Sequence, residues 1–166
     1  MTISTEYARL NRLLHAEKPG YGSKGKLWAP RIAAMAERGW SILDYGCGKG
    51  SLGRALERWD VREYDPAVEG KDAPPAPADL VVCTDVLEHV EPEHIDAVIA
   101  DIVRLAERKA LIAVACRPGK RQLADGRPDH LTVQEPRWWL KRLRRHGDFV
   151  EVKPLRAREL AAALAK

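Results

Sequence analysis

Three glycines in five residues, set directly behind an apolar run, constrain this chain more than any other feature. Ser41-Ile-Leu-Asp-Tyr45 has the length and character of a buried strand, and it passes without a linker into Gly46-Cys-Gly-Lys-Gly50. Residues 51–59 then read as a helix. A strand that turns into a helix through glycines marks a place where the backbone takes conformations closed to other residues, or meets something closely. The pattern repeats along the chain. Residues 61–64, 80–84, 110–115 and 147–152 read as further strands, the last of them closing the sheet, and residues 92–108 and 137–145 as amphipathic helices. Strands separated by helices need crossover connections, which predicts an α/β fold with a mainly parallel sheet and helices on both faces. In such sheets ligands bind beyond the carboxyl ends of the strands.

Upstream, residues 2–17 form an expected amphipathic helix with Tyr7, Leu10, Leu13 and Leu14 at helical spacing. Pro19-Gly-Tyr-Gly-Ser-Lys-Gly25 breaks it, and a second helix is expected from residue 26 or 30 to residue 38, with Pro30 tolerated in its first turn. The expectation is one domain over residues 1–166: a helical lid or cap over 1–39 and an α/β core over 40–166. With 166 residues, 45% hydrophobic and 31% charged, the composition is that of a globular domain. No apolar stretch approaches the roughly 20 residues of a membrane helix, and the first residues lack a leader pattern. Cys47, Cys83 and Cys116 are odd in number and widely spaced, which suggests reduced thiols and a cytoplasmic location. The formal charge of +4 permits an anionic partner without requiring one. Much of it lies in Arg137-Trp-Trp-Leu-Lys-Arg-Leu-Arg-Arg145, which reads first as a surface helix burying Trp139, Leu140 and Leu143.

Gly48-x-Gly50-x-x-Gly53 also satisfies the dinucleotide fingerprint, so glycine spacing alone leaves a nicotinamide cofactor open. Asp44 argues against it. A carboxylate two residues before the first glycine suits a ligand ammonium group and would repel a pyrophosphate. Nor do residues remain for a separate substrate domain.

Ile42-Leu-Asp-Tyr-Gly-Cys-Gly-Lys-Gly50 resembles the first motif of the class I S-adenosylmethionine-dependent methyltransferases, and Leu80-Val-Val-Cys-Thr-Asp-Val-Leu-Glu-His-Val90 is similar to their fourth-strand segment in ubiquinone-biosynthesis-type enzymes. The resemblance implies a Rossmann-like methyltransferase sheet and S-adenosyl-L-methionine as cofactor. It places Gly46, Cys47, Gly48 and Gly50 around the donor's methionine part and Asp44 near its ammonium group. Asp65 would take the ribose hydroxyls, and Asp72 the adenine amino group. Thr84 and Asp85 would lie beside the sulfonium. Only about fourteen residues separate Asp65 from Leu80, where the family fits a helix, a strand and another helix, so the sheet is expected to be abbreviated between its strands 2 and 4. A second copy covering the resulting open edge would make a homodimer.

His89 and His130 are the candidate bases for removing a proton from the acceptor, since imidazole titrates near neutral pH. His15, His94 and His146 receive no role. Asp85-x-x-Glu88-His89 is also similar to the run with which small-RNA 3′-end 2′-O-methyltransferases hold a divalent metal, with His130 as a further ligand. The reading carried forward assigns no metal, Glu88-His89 simply opening the following helix. The usual signatures of DNA-base methylation, Asp-Pro-Pro-Tyr and Pro-Cys, are not found in the sequence. Arg117, Lys120, Arg121 and Arg127 surround the expected acceptor entrance and favour an anionic or polyhydroxylated substrate. The first reading is therefore methyl transfer to a small molecule or glycan, on oxygen. RNA methylation and a non-catalytic, donor-binding assembly subunit are the alternatives, and a nicotinamide-binding domain stands behind both.

Overall fold

The computed structural model describes residues 3–166; Thr2, the first residue of the expected leading helix, lies outside them. Helix α1 runs over Thr5–Glu17. Ser4 caps it by accepting from the Tyr7 N–H, while its own hydroxyl and N–H donate to Glu91 at 2.7 and 2.8 Å. That tie fixes where α1 crosses the body of the molecule. A 3₁₀ turn over Gly25–Trp28 leads into α2, Ala29–Met35.

The core then alternates: β1 Ser41–Tyr45, α3 Ser51–Ala55, β2 Asp60–Tyr64, β3 Ala78–Thr84, α4 Ile95–Leu105, β4 Ala106–Ala115, α5 Pro136–Leu143, β5 Val150–Glu151 and β6 Glu159–Ala165. The strand order is β2-β1-β3-β4-β6-β5, parallel through β4 and antiparallel beyond it. Between β2 and β3 there is no strand, so the expected abbreviation is seen, and β2 is the open edge. Asp60, Arg62 and Glu63 charge that edge, a device that discourages pairing with another sheet.

Side chains alternate across the sheet as period 2 requires. Leu43, Val81, Cys83, Ile112 and Val114 pack on one face with Tyr7, Leu10 and Leu14 of α1, with α4, and with Trp139 and Leu143 of α5. Ile42, Leu80, Val82, Leu111 and Ala113 pack on the other with Trp28, Ile32 and Leu52. The basic helix therefore buries its apolar stripe, and Arg142 lies over Trp138 while pairing with Asp96. No helix among the described residues is long and apolar enough to cross a membrane.

Several boundaries differ from the sequence reading: the helix expected over 51–59 ends at Ala55, and that expected to residue 38 ends at Met35. The helix expected to run to residue 108 stops at Leu105, because Ala106 already pairs with Ala78 in the sheet. More consequentially, the last strand is β6, not 147–152, of which only Val150–Glu151 forms an edge strand. Glu159-Leu-Ala-Ala-Ala-Leu-Ala165 carries helix-favouring residues. Seven register pairs with β4 and burial of residues 159–162 override that preference. Ala161 has no exposed surface and packs in the core opposite Ala113. Ala161→Leu is expected to overpack this layer and lower stability by about 1–3 kcal/mol, measured by urea unfolding.

Candidate active site

The glycine loop is held from within. The N–H groups of Gly46 and Cys47 both donate to the carbonyl of Tyr64, at 2.7 and 3.0 Å. Gly48 N–H donates to Asp65 Oδ2 at 2.9 Å. Lys49 N–H reaches Gly22 O, and Gly50 N–H returns to Cys47 O, both at 2.9 Å. All five loop donors are thus satisfied inside the protein, and the loop has none left for an anion. Gly48 has a left-handed backbone, and a Cβ there would stand 2.6 Å from Gly22 O, so glycine is required where the 19–25 segment lies on the loop.

Asp44 stands at the end of β1, only 4% exposed, with no hydrogen-bond partner among the described residues. Burial first, then the neighbouring Glu63 and Asp65, push its carboxyl up to about 7. Asp65, at the tip of β2, is pinned through Oδ2 on Gly48 and Oδ1 on the Ala67 N–H at 2.9 Å. A carboxylate offers about four lone-pair sites, so capacity for two ligand hydroxyls remains.

Beyond β3, Asp85 takes a left-handed backbone, and one Arg156 nitrogen donates to both its carboxylate oxygens at 2.6 and 2.7 Å. Arg156 also binds Glu159, whose side chain is fully buried. This clamp escaped the sequence reading because Arg156 lies 71 residues away on the approach to the unforeseen β6.

His89 and His130 meet edge to face with ring centroids 4.7 Å apart. His89 Nδ1 lies 2.6 Å from the Asp129 carbonyl and His130 Nδ1 lies 2.8 Å from the Arg117 carbonyl. A carbonyl only accepts, so each Nδ1 carries a proton, and in the neutral ring Nε2 presents a lone pair. Burial, then His130, pushes His89 down to about 4 and keeps it neutral at physiological pH. Glu88 is fully buried; its Oε1 accepts from the Ala115 N–H at 3.2 Å, and burial followed by Asp85 pushes it up to about 8. Donor atoms of Glu88, His89 and His130 lie within 4.8 Å of one another. Asp85, the first member of the metal-like run, is not among them, being turned onto Arg156.

One cleft of about 1090 Å³, its open mouth included, gathers Asp44, Gly46, Cys47, Gly48, Asp65, Thr84, Asp85, His89 and His130. Gly50 and Asp72 do not line it. Gly50 instead leaves no room behind the loop, where a Cβ would meet Glu63 Oε1 at 2.3 Å. Asp72 is exposed and lies 4.0 Å from Arg12. From α1 the cleft receives Tyr7, Asn11 and His15, none of them foreseen as site residues. Their spacing of four was the available signal, hidden because Tyr7 also fits the helix's apolar stripe.

A family model described as a methyltransferase domain matches residues 13–166. The chain belongs to the methyltransferase-domain family. Solved structures share its fold. The 1,6-didemethyltoxoflavin N1-methyltransferase of Burkholderia thailandensis, with its substrate and S-adenosylhomocysteine bound, is 21% identical over 97% of this chain and 89% of its own, with a TM-score of 0.67. The DhpI–SAH complex is 18% identical over 94% of both chains, with a TM-score of 0.66. Magnesium protoporphyrin IX methyltransferase of Synechocystis PCC 6803, with bound SAM, is 19% identical over 88% and 80%, with a TM-score of 0.60. No curated protein sequence matches this methyltransferase.

The Glu88 shift has a testable sign. Its folded pKa is raised from 4.5 to about 8, so the unfolded chain ionises first as pH rises. The cost to stability grows between those values and is constant above them. Glu88→Gln is expected to unfold at a higher temperature than wild type at pH 8, with the gap closing by about pH 4.5, followed by calorimetry.

Proposed function

We propose that this methyltransferase moves the methyl group of S-adenosylmethionine to an oxygen of a small-molecule or glycan acceptor. The observation that carries the reading is the polarity of the glycine loop. Its N–H groups from Gly46 to Gly50 are spent internally, and the unpartnered Asp44 carboxyl stands at its start. A pyrophosphate needs free N–H donors and finds a carboxylate. An ammonium group finds the acceptors it needs.

In this reading Asp44 meets the donor's ammonium group and Gly46, Cys47 and Gly48 shape the space for its methionine part. The free lone pairs of Asp65 receive the ribose hydroxyls, and the backbone of Thr84 and Asp85 faces the sulfonium. Asp72 takes no part, being turned to solvent. Gly50 serves behind the loop. The donor supplies an electrophilic methyl group, and the protein's task is alignment of the two reactants. As the sulfur–methyl bond breaks and the oxygen–methyl bond forms, the acceptor's hydroxyl proton passes to the Nε2 lone pair of His89 or His130. Acceptors in two of the structural neighbours are small molecules, a toxoflavin precursor and a magnesium porphyrin. The three free, buried cysteines fit a reducing compartment, and the cytoplasm is the location we infer.

Calorimetric titration of the wild-type chain with S-adenosylmethionine, S-adenosylhomocysteine and NAD tests the donor. Micromolar binding of the first two alone is expected; preference for NAD would sink the reading. A bound ammonium group must also pull the Asp44 pKa down from about 7. Binding near pH 6.5 should therefore release a proton, seen as a heat that varies with the buffer's ionisation enthalpy, and Asp44→Asn should abolish that release.

A further inference from the structure

Seven buried side-chain nitrogen and oxygen atoms lack a hydrogen-bond partner among the described residues: Tyr7 Oη, Asn11 Oδ1, His15 Nδ1, Glu88 Oε2, Arg117 Nη1 and the Nε1 atoms of Trp28 and Trp139. Five of these seven, all but the two indoles, belong to residues lining the one cleft. Buried polar atoms are normally paired, and each orphan is a standing cost to the empty protein. Gathered in one place, they describe the ligand that would pair them.

Three lie at spacing of four, Tyr7, Asn11 and His15, on one face of α1. His15 sits at the donor end, its ring beside Gly22, which lies on the glycine loop. Asn11 and Tyr7 continue away from it. Arg117 follows β4 and adjoins the imidazole pair, since its carbonyl holds His130.

The charges around Arg117 decide what it can hold. Asp85 and Glu159 share the single guanidinium of Arg156. Asp65 is engaged by two backbone N–H groups, and Asp129 Oδ1 accepts from the Arg121 N–H at 3.3 Å. Burial holds Glu88 neutral. The Arg117 guanidinium forms no ion pair among the described residues, and Arg121 lies over the Tyr21 ring, 5.5 Å from its centroid. The Arg117 guanidinium, with its buried and unpaired Nη1, is thus left in the cleft without a salt-bridge partner of its own among the described residues.

We propose that the acceptor is a small anionic molecule whose carboxylate or phosphate is held by Arg117 and whose hydroxyl or amino groups are read by Asn11 and Tyr7. This rests on the methyltransferase reading and names its substrate class. A planar guanidinium suits an oxyanion with two parallel hydrogen bonds. Asn11 Oδ1 accepts from a hydroxyl or amine, and Tyr7 bonds as donor or acceptor. A neutral, apolar acceptor leaves all these atoms unpaired and is rejected for that reason.

The test uses radiolabelled S-adenosylmethionine with carboxylated phenols, carboxylated alcohols and phosphorylated alcohols beside their neutral esters. Methyl transfer to at least one anionic compound is expected, with kcat/KM at least about tenfold above that of its ester. Arg117→Met should lower it at least about tenfold and Arg117→Lys should restore part of it, while affinity for S-adenosylhomocysteine stays within about twofold. Tyr7→Phe and Asn11→Leu should reduce turnover yet melt at the wild-type temperature or above, because each removes an unpaired buried atom. Equal or better use of the esters, or no turnover of any anionic compound, overturns the proposal. So does loss of S-adenosylhomocysteine binding in Arg117→Met, which would assign Arg117 to the donor, or a lower melting temperature in Tyr7→Phe, which would give the hydroxyl a structural role. Failure of the wild type to bind S-adenosylhomocysteine is a different result and refutes the donor reading itself.

Discussion

The site depends on a knot of hydrogen bonds at the tip of β2. Tyr64 C=O takes two consecutive N–H groups of the glycine loop and Asp65 takes a third. Because β1 and β2 are parallel and paired through Tyr45 and Tyr64, both strands end at the same level, and the residue after one can hold the turn after the other. This sets the loop's shape and fixes its sign. A loop whose donors are spent offers an anion none, and the Asp44 carboxyl at its start favours a cation. The same glycine spacing with free N–H groups would favour a phosphate. Spacing is therefore a weak guide, and the hydrogen-bond ledger of the loop discriminates.

The second dependence is on the segment between α1 and α2. Lys49 N–H ends on Gly22 O, Tyr21 OH lies 3.3 Å from His89 Nδ1, and its ring meets His15 at 4.6 Å between centroids. One short stretch thus touches the glycine loop, the imidazole pair and the inner face of α1. It joins donor and acceptor ends of the cleft, which is consistent with a cover over both. Gly22, left-handed and with Gly48 Cα 3.1 Å from where a Cβ would stand, lets the chain pass close to the loop.

What could be read from the sequence follows from how local each signal is. The strand–glycine–helix unit, the β3 segment and the basic helix carry their periodicity in a few neighbouring residues, and they appear where expected. Asp44 and Thr84 near the ends of β1 and β3, Asp65 just after β2, and His89 and His130 in the segments beyond β3 and β4 could be read from the strand pattern, and all line the cleft. Strand β6 was not legible, since an alanine-rich run favours a helix and only pairing with β4 makes it a strand. Arg156 was lost with it, as its partner Asp85 is remote in sequence. Tyr7, Asn11 and His15 were hidden for another reason: an i, i+4, i+8 row reads alike whether it faces a core or a cleft. Asp72 was named by analogy to a segment that this chain has shortened, and the short connection leaves it at the surface beside Arg12.

The paired shifts of Glu88 and His89 carry the chemistry one step further. Adjacent in sequence, they are driven in opposite directions by one cause: burial raises the acid to about 8 and lowers the imidazole to about 4, so both are neutral at pH 7. Methyl transfer to a hydroxyl moves positive charge from sulfur to whichever group takes the proton. An imidazole held at about 4 accepts that proton poorly from an un-ionised alcohol, and a sulfonium nearby depresses it further. What raises its basicity is negative charge developing beside it. An acceptor whose hydroxyl is itself acidic, such as a phenol, develops that charge early and asks least of the base. On the proposed reading, the burial that makes the orphaned polar atoms costly to leave unpaired also favours one acceptor chemistry: an oxyanion for Arg117 and a readily ionised hydroxyl for His89.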